Sequence, residues 1–287
     1  KEGFLNYEFA IGGKYRKLTS AHGEPYWDGT DGVSIYLRGE QGIGDEISYA
    51  SVIPDAVKHG NKITFECDKR LAGLFRRSLP PEVIVHGTRH NPELRGWREE
   101  AEFDFCAPVG TLCREYRQKK EDFPRTAWLK ADPERRLQWK ALLDTLPGKK
   151  VGIAWAGGLP NTFRGRRSFS LEGLLPILKT PGITWVSLQY KNPDAEIQAF
   201  TEKHGIEIKH WHRAAQAYDY DDTAALVSEL DLVVSVCTSV VHLCGGLGKK
   251  CLVLVPKHPR WFYHLEGQTS DWYESLELYR QSDKWPV

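Results

Sequence analysis

From Val33 onward the sequence alternates, twice over, between short apolar or β-branched runs and amphipathic stretches. The first series reads VSIYLRG, a helical stretch over about 45–59, KITFECD, a helix through KRLAGLFRRSL, then EVIVHG and EFDFCAP. The second reads KKVGIAWAG, SLEGLLPILKT, TWVSLQY, PDAEIQAFTEKHG, IEIKHW, DDTAALVSEL, DLVVSVC, TSVVHLCGGLG and KKCLVLVP. Strands separated by helices in this way pair in parallel and are covered on both faces. The expected fold class is therefore α/β, with two Rossmann-like domains whose parallel sheets face a central cleft.

A charged, proline-bearing stretch separates the two series. We expect a lead-in over 1–32, a first domain over 33–128, a linker helix over 129–148, a second domain over 149–260 and a closing segment over 261–287. The closing segment is rich in Trp and Tyr and shows no strand signal, so it is expected to pack back across the domains. A chain of 287 residues suits two domains of ordinary size.

Charge excludes some partners. With 39 basic and 38 acidic residues the net charge is +1, which gives no field to attract nucleic acid or an anionic membrane. No apolar stretch approaches the roughly 20 residues that span a bilayer, and KEGFLNYEFA lacks a signal-peptide core, so a cytoplasmic chain is expected. The six cysteines form no C-x-x-C pair and have no histidine at zinc-finger spacing. Buried thiols are expected, and no metal. The sequence contains no methionine, even at position 1, which suggests a piece of a longer chain continued upstream.

Three turns from strand to helix carry the chemistry. In GEQGIGDEI, Gly42 and Gly44 are expected to turn the backbone sharply after the first strand, with Gln41 an acceptor or loop residue beside them and Asp45 at or near the helix N-cap. The loop lacks the full G-x-G-x-x-G fingerprint and the P-loop lysine, so Asp45 either caps the helix or stands in a cleft. In SVCTSVVHLCGGLG, Thr238 and Ser239 open a helix bearing His242 one turn later. Either the unpaired N–H groups, two hydroxyls and an imidazole there hold the diphosphate of a nucleotide, or Thr238 or Ser239 is an ordinary cap and His242 a satisfied structural residue. In WAGGLPNTFRGRRSFS, Gly157 is followed by Arg164, Arg166 and Arg167, which either form a solvated face or neutralise a leaving pyrophosphate. Gln189, at the end of TWVSLQY, is placed to read a ribose or base. Asp221 or Asp222 is expected to cap the helix TAALVSEL, and the aromatics Trp261, Phe262, Tyr263, Trp272 and Tyr273 to serve interdomain packing rather than to stack on a base or sugar.

Taken in order, EQGIGDEI, VGIAWAGG, SLQY and DDTAALVSELDLVVSVCTSVVHLCGGLGKKCLVLVP resemble the glycosyltransferase family 9 and heptosyltransferase superfamily over nearly the whole chain. The likeness is greatest to the catalytic region at the C-terminus of bacterial tetratricopeptide-repeat glycosyltransferases. GFLNYEFA and EPYWDG are similar to the stretch that joins repeats to enzyme in such proteins.

The resemblance implies a GT-B fold and metal-independent, inverting transfer from a nucleotide-diphosphate sugar, with no cofactor. The acceptor would be a glycan, a lipid-linked saccharide or a protein side chain. It makes Asp45 the general base, Thr238, Ser239 and His242 the holders of the donor phosphates, and Arg167 a basic phosphate contact. One departure stands out: Cys237 occupies the place of the family's usual aspartate before the second turn. A buried thiol accepts hydrogen bonds poorly and is uncharged at neutral pH. Cys237 thus favours the alternative of a catalytically inactive GT-B module that keeps a nucleotide, sugar or protein-binding surface.

Overall fold

The computed structural model describes residues 2–11, 20, 23–158, 167–190, 192–215 and 219–282. It divides into two compact units, one of residues 1–124 with 128–130, the other of residues 125–127 with 131–287.

The first unit is built on strands β1 (Ser34–Arg38), β2 (Lys62–Glu66), β3 (Ile84–His86) and β4 (Phe105–Pro108), all parallel, in the order β3-β2-β1-β4. Tyr36 on β1 lies opposite Thr64 on one side and Cys106 on the other. Ile35, Tyr36 and Leu37 are wholly buried, as a strand with both faces covered requires. The covering helices are α1 (Glu2–Glu8), α2 (Ile43–Ala50), α3 (Ile53–Lys58), α4 (Ala72–Ser78) and α5 (Leu112–Tyr116).

The single helix expected over 45–59 is thus two helices. Pro54 sits in the first turn of α3, where its missing N–H costs nothing, but it cannot donate to Ala50 and so cannot prolong α2. The described lead-in residues belong to this unit. Trp27 is fully buried and its backbone N–H donates to the Cys106 carbonyl at 3.0 Å.

The second unit has six parallel strands: β5 (Lys149–Ala154), β6 (Ile183–Ser187), β7 (Ile208–Lys209), β8 (Leu232–Val236), β9 (Cys251–Val255) and β10 (Leu276–Arg280). Their order is β10-β9-β8-β5-β6-β7. Counted within the unit this is 3-2-1-4-5-6, the doubly wound dinucleotide-fold order. The connections run through α6 (Pro133–Asp144), α7 (Leu175–Leu178), α8 (Asp194–His204), α9 (His212–Ala215), α10 (Tyr220–Glu229) and α11 (Ser239–Leu247).

β10 comes from the closing segment, in which the sequence showed no strand. Leu276 and Leu278 are buried and alternate with the more exposed Glu277 and Tyr279, so the period-2 signal is present but spans only five residues at a sheet edge.

All six cysteines are buried as thiols. Among the described residues no helix is long and apolar enough to cross a membrane. In each sheet the chain restarts once on the opposite side of its first strand, between β1 and β4 in the first unit and between β5 and β8 in the second. The turns leaving those strands diverge, and such switch points are where doubly wound sheets hold ligands.

Candidate functional site

At the first unit's switch point the opening loop does not turn on glycines 42 and 44. The left-handed residue is Gln41, at φ 57°, while Gly42 is an extended N-cap (φ −100°, ψ 170°) and Gly44 already lies within α2. An L-residue with a side chain in this region costs roughly 1–2 kcal/mol. Two partners hold Gln41 there: its carbonyl accepts from Arg89 Nη2 at 2.9 Å, and its side-chain amide donates to the Tyr7 hydroxyl. Asp45 is not the N-cap itself but the third helical residue. Its Oδ2 accepts the Gly42 backbone N–H at 3.0 Å, which fixes the orientation of a half-buried carboxylate at the carboxyl end of β1.

Beneath this loop lies a set of buried carboxylates that the sequence did not reveal. Glu46 is fully buried, ion-paired with Arg89, and accepts the Asp68 N–H at 2.9 Å. Burial pushes its carboxyl up to about 7, against the opposing pull of Arg89 and that N–H. Gly39 has to be glycine here, because a Cβ would stand 2.6 Å from the Glu46 carboxyl. Glu40 ties the two turns of the switch point together, accepting the Gly110 N–H at 2.9 Å and the Tyr7 hydroxyl at 3.2 Å. Burial drives Glu66 upward, but donation from Tyr36 (2.6 Å), Arg95 (2.5 Å) and Thr88 (2.9 Å) holds it below the ordinary carboxylate range. These partners lie 22 to 70 positions apart in the chain, so no local pattern announces them.

At the second unit's switch point the turns after β5 and β8 touch. A Cβ on Gly157 would lie 2.4 Å from Thr238 Cγ2, so only glycine permits the approach. Thr238 is the N-cap of α11, its Oγ1 accepting the Val240 N–H at 3.2 Å, and Ser239 Oγ accepts from the Tyr220 hydroxyl at 3.1 Å. Arg167 donates from Nη1 to the Cys237 carbonyl at 3.3 Å, which places a guanidinium beside the start of this helix. Burial, then the neighbouring positive charge of exposed Arg260, lowers the Arg167 pKa. An anion at this helix start would offset both effects. Arg260, in HPRW, was not singled out from the sequence, where it stands 93 positions from Arg167. Arg164 and Arg166 lie outside the described residues.

Two expected contacts are used otherwise. The Gln189 amide is saturated: its oxygen accepts the N–H groups of Trp155 (3.2 Å) and Ala156 (2.9 Å), and its nitrogen donates to the carbonyls of Ala156 (2.9 Å) and Tyr190 (3.1 Å). It stitches the β5 and β6 turns together, leaving no group to read a ribose or base. His242 is buried against Phe262, Tyr263 and Tyr273, with ring centroids 5.1, 6.1 and 6.3 Å away. Burial, aided by Arg260, lowers its pKa to about 4, so it is uncharged at neutral pH. Phe262 also stacks on Trp261 at 4.0 Å and meets Trp272 at 5.2 Å, so the closing aromatics form one packing cluster around the imidazole.

Cys237 is likewise buried and neutral, its thiol pushed up to about 12 by burial against the pull of Arg167, and its Sγ donates to the Leu254 carbonyl at 3.7 Å. α10 is capped by Asp219, whose carboxylate accepts the Asp221 N–H at 2.9 Å, rather than by Asp221 or Asp222. Asp222 instead accepts from Trp139 Nε1 at 3.1 Å and pairs with Arg213 at 3.2 Å.

No protein-family model matches this chain. Protein FlbA of Caulobacter vibrioides is 33% identical over 269 residues, an alignment that covers 88% of this chain and 44% of the relative. The chain thus spans less than half the length of that relative. Among solved structures, the glycosyl transferase family 9 protein of Veillonella parvula has a TM-score of 0.60 at 13% identity, covering 88% of this chain and 87% of that one. The ADP-heptose LPS heptosyltransferase II of E. coli has a TM-score of 0.54 at 11% identity, covering 85% of this chain and 89% of that one. At such identities the likeness is one of fold: two parallel-sheet, Rossmann-like units of the GT-B type.

Proposed function

We propose that this chain is a metal-independent, inverting glycosyltransferase that acts in the cytoplasm on a nucleotide-diphosphate sugar. The observation that carries the reading is the second switch point, where Gly157 and Thr238 meet, α11 begins, and Arg167 and Arg260 stand beside it. N–H dipoles and guanidinium groups stabilise a leaving diphosphate without a metal. The fold shared with the two solved transferases supports the reading, as does the name of one of them, which contains ADP-heptose, a nucleotide-diphosphate sugar.

In the reaction, Asp45 takes the proton of an acceptor hydroxyl, and the freed oxygen pair attacks the anomeric carbon. The bond from that carbon to the diphosphate oxygen breaks on the opposite face, so the centre inverts. The diphosphate leaves with the bonding electrons and is held at the start of α11 by the helix N–H groups and Arg167. The acceptor is a glycan, a lipid-linked saccharide or a protein side chain.

Titration calorimetry with a panel of nucleoside diphosphates tests the donor site. At least one should bind, and Arg167→Ala should weaken it roughly 10- to 100-fold, the worth of a charge-assisted hydrogen bond. Absence of binding by every diphosphate would overturn the proposal. The neutral thiol of Cys237 favours a second reading, a GT-B module that binds without turning over. Under it, the nucleotide that binds best would support neither transfer nor hydrolysis when supplied as its sugar donor.

A further inference from the structure

Away from the switch point, at the β7 edge of the second sheet, the chain gathers Asp194, His210 and His212. Asp194 is the first residue of α8, His210 directly follows the two-residue edge strand β7, and His212 opens α9. His212 Nε2 lies 3.1 Å from Asp194 Oδ2, and His210 Nε2 lies 3.9 Å from Asp194 Oδ1. One ligand atom from each residue falls within 4.8 Å of the other two. The two imidazoles meet edge to face, centroids 5.0 Å apart at 84°, so they do not stack.

The His210 side chain is only 5% exposed, and neither ring nitrogen has a hydrogen-bond partner. An imidazole buried in that state leaves its polar atoms unsatisfied, which costs about 1–3 kcal/mol. Such a ring needs an occupant for its lone pair.

We propose that Asp194, His210 and His212 bind a divalent transition-metal ion of the zinc type. Zinc bonds of about 2.0–2.2 Å to nitrogen and oxygen put the ligand atoms of a tetrahedral site about 3.3 Å apart; His212 Nε2 lies 3.1 Å from Asp194 Oδ2, close to that spacing, and His210 Nε2 lies 3.9 Å from the other oxygen, Oδ1. Two imidazoles and one carboxylate suit zinc, cobalt or nickel rather than magnesium or calcium, which prefer all-oxygen shells. Water completes the shell. The ion clips the end of β7 and the start of α9 to the start of α8, so a strand two residues long at a sheet edge gains a cross-link. The buried thiols of the chain do not compete for it. The proposal is independent of the transferase reading, since no residue of the second switch point takes part.

The test uses the full chain, free of any affinity tag and stripped with a chelator. Titration with zinc chloride should show saturable uptake of a single equivalent. At zinc 100-fold above the dissociation constant the melting temperature should rise by roughly 5–10 °C. Cobalt(II) in place of zinc should give visible ligand-field bands from imidazole coordination. His212 is exposed, so His212→Ala folds, and it should weaken uptake by at least about tenfold and abolish the bands. His210→Gln should do the same while keeping a ring-sized polar group in place. Unchanged uptake and bands in both variants, or no uptake at zinc up to about 1 mM, would overturn the site.

Discussion

The two units place their switch points at equivalent positions in equivalent sheets, yet fill them with opposite chemistry. In the first, the turn after β1 is underlain by Glu40 and Glu46 and carries Asp45. In the second, the turn after β8 offers Thr238, Ser239 and the start of α11, flanked by Arg167 and Arg260. In the proposed function one topological solution thus serves a carboxylate in one unit and an anion in the other, and the difference comes from what each turn is packed on. The first turn is locked by ion pairs and hydrogen bonds that need carboxylates below it. The second is locked by a glycine–threonine contact and a saturated amide, beside the helix start and the arginines that the proposed function assigns to the diphosphate.

The sharpest way to break this division of labour is to remove the carboxylate from the first turn. Asp45→Asn keeps an acceptor for the Gly42 N–H, so the loop keeps its shape, but an amide cannot take a proton from a hydroxyl. Transfer, or slow hydrolysis of the donor, should fall about 100- to 10,000-fold. Binding of the nucleoside diphosphate in calorimetry should change less than about threefold, because the contacts proposed for it lie in the other unit. Full activity in Asp45→Asn would strip the first turn of its catalytic part in the proposal.

Protonation separates the units next. The native pKa of Glu46, about 7, lies above its ordinary 4.5, so its contribution is complete below pH 4.5 and is lost as pH rises through 7. The native pKa of His242, about 4, lies below its ordinary 6.5, so its contribution is present above pH 6.5 and is lost as pH falls toward 4. At about 1.4 kcal/mol per pH unit between native and unfolded values, each amounts to something on the order of 3 kcal/mol. The two slopes oppose each other between pH 4.5 and 6.5. Urea unfolding across that window should show stability rising with pH in Glu46→Gln and falling with pH in His242→Leu. Parallel slopes in the two variants would refute the contrast.

How much of this was readable beforehand follows from how far apart the interacting residues lie. The strand and helix runs are local, and the sequence displayed nearly all of them, along with the strand-to-helix turns at which Asp45 and Thr238 stand. β10 was lost because its alternation covers only Leu276 to Arg280, amid polar and aromatic neighbours. The break between α2 and α3 was lost because Pro54 reads as a first-turn residue only once the end of α2 is known. The ion pairs Glu46–Arg89 and Glu66–Arg95, and the nearness of Arg260 to Arg167, depend on tertiary structure. The burial of His242 and the saturation of the Gln189 amide are likewise set by packing, which no spacing of residue types encodes.

Glycine replacements test the two locks directly. Gly39→Ala drives a Cβ into the buried Glu46 carboxyl at 2.6 Å, and any shift of Glu46 loosens Arg89 and the Asp68 N–H together. Gly157→Ala meets a threonine methyl at 2.4 Å. Overpacking of this kind costs about 1–3 kcal/mol. Gly39→Ala should lie at the upper end and Gly157→Ala at the lower, as read from denaturant midpoints. Only Gly157→Ala should also weaken nucleotide binding, since Thr238 caps the helix whose start would hold the phosphates. Equal loss of binding in both would mean that the two locks are not separate.

The smallest effect falls where the sequence pointed to a need for glycine. Gly42 sits at φ −100° and ψ 170°, backbone that any residue adopts, and a Cβ there would lie 3.4 Å from Asp45 Oδ2, an ordinary contact. Its N–H, which orients Asp45, survives in alanine. Gly42→Ala should therefore cost only the N-cap preference of glycine over alanine, about 0.5–1 kcal/mol in thermal or denaturant unfolding. Gln41→Gly should recover part of the left-handed penalty, up to about 1 kcal/mol, and give some of it back by losing the bond to Tyr7. A cost above about 2 kcal/mol for Gly42→Ala, with Gln41→Gly neutral, would move the turn from Gln41 back to the glycine and require a different backbone for the loop that carries Asp45.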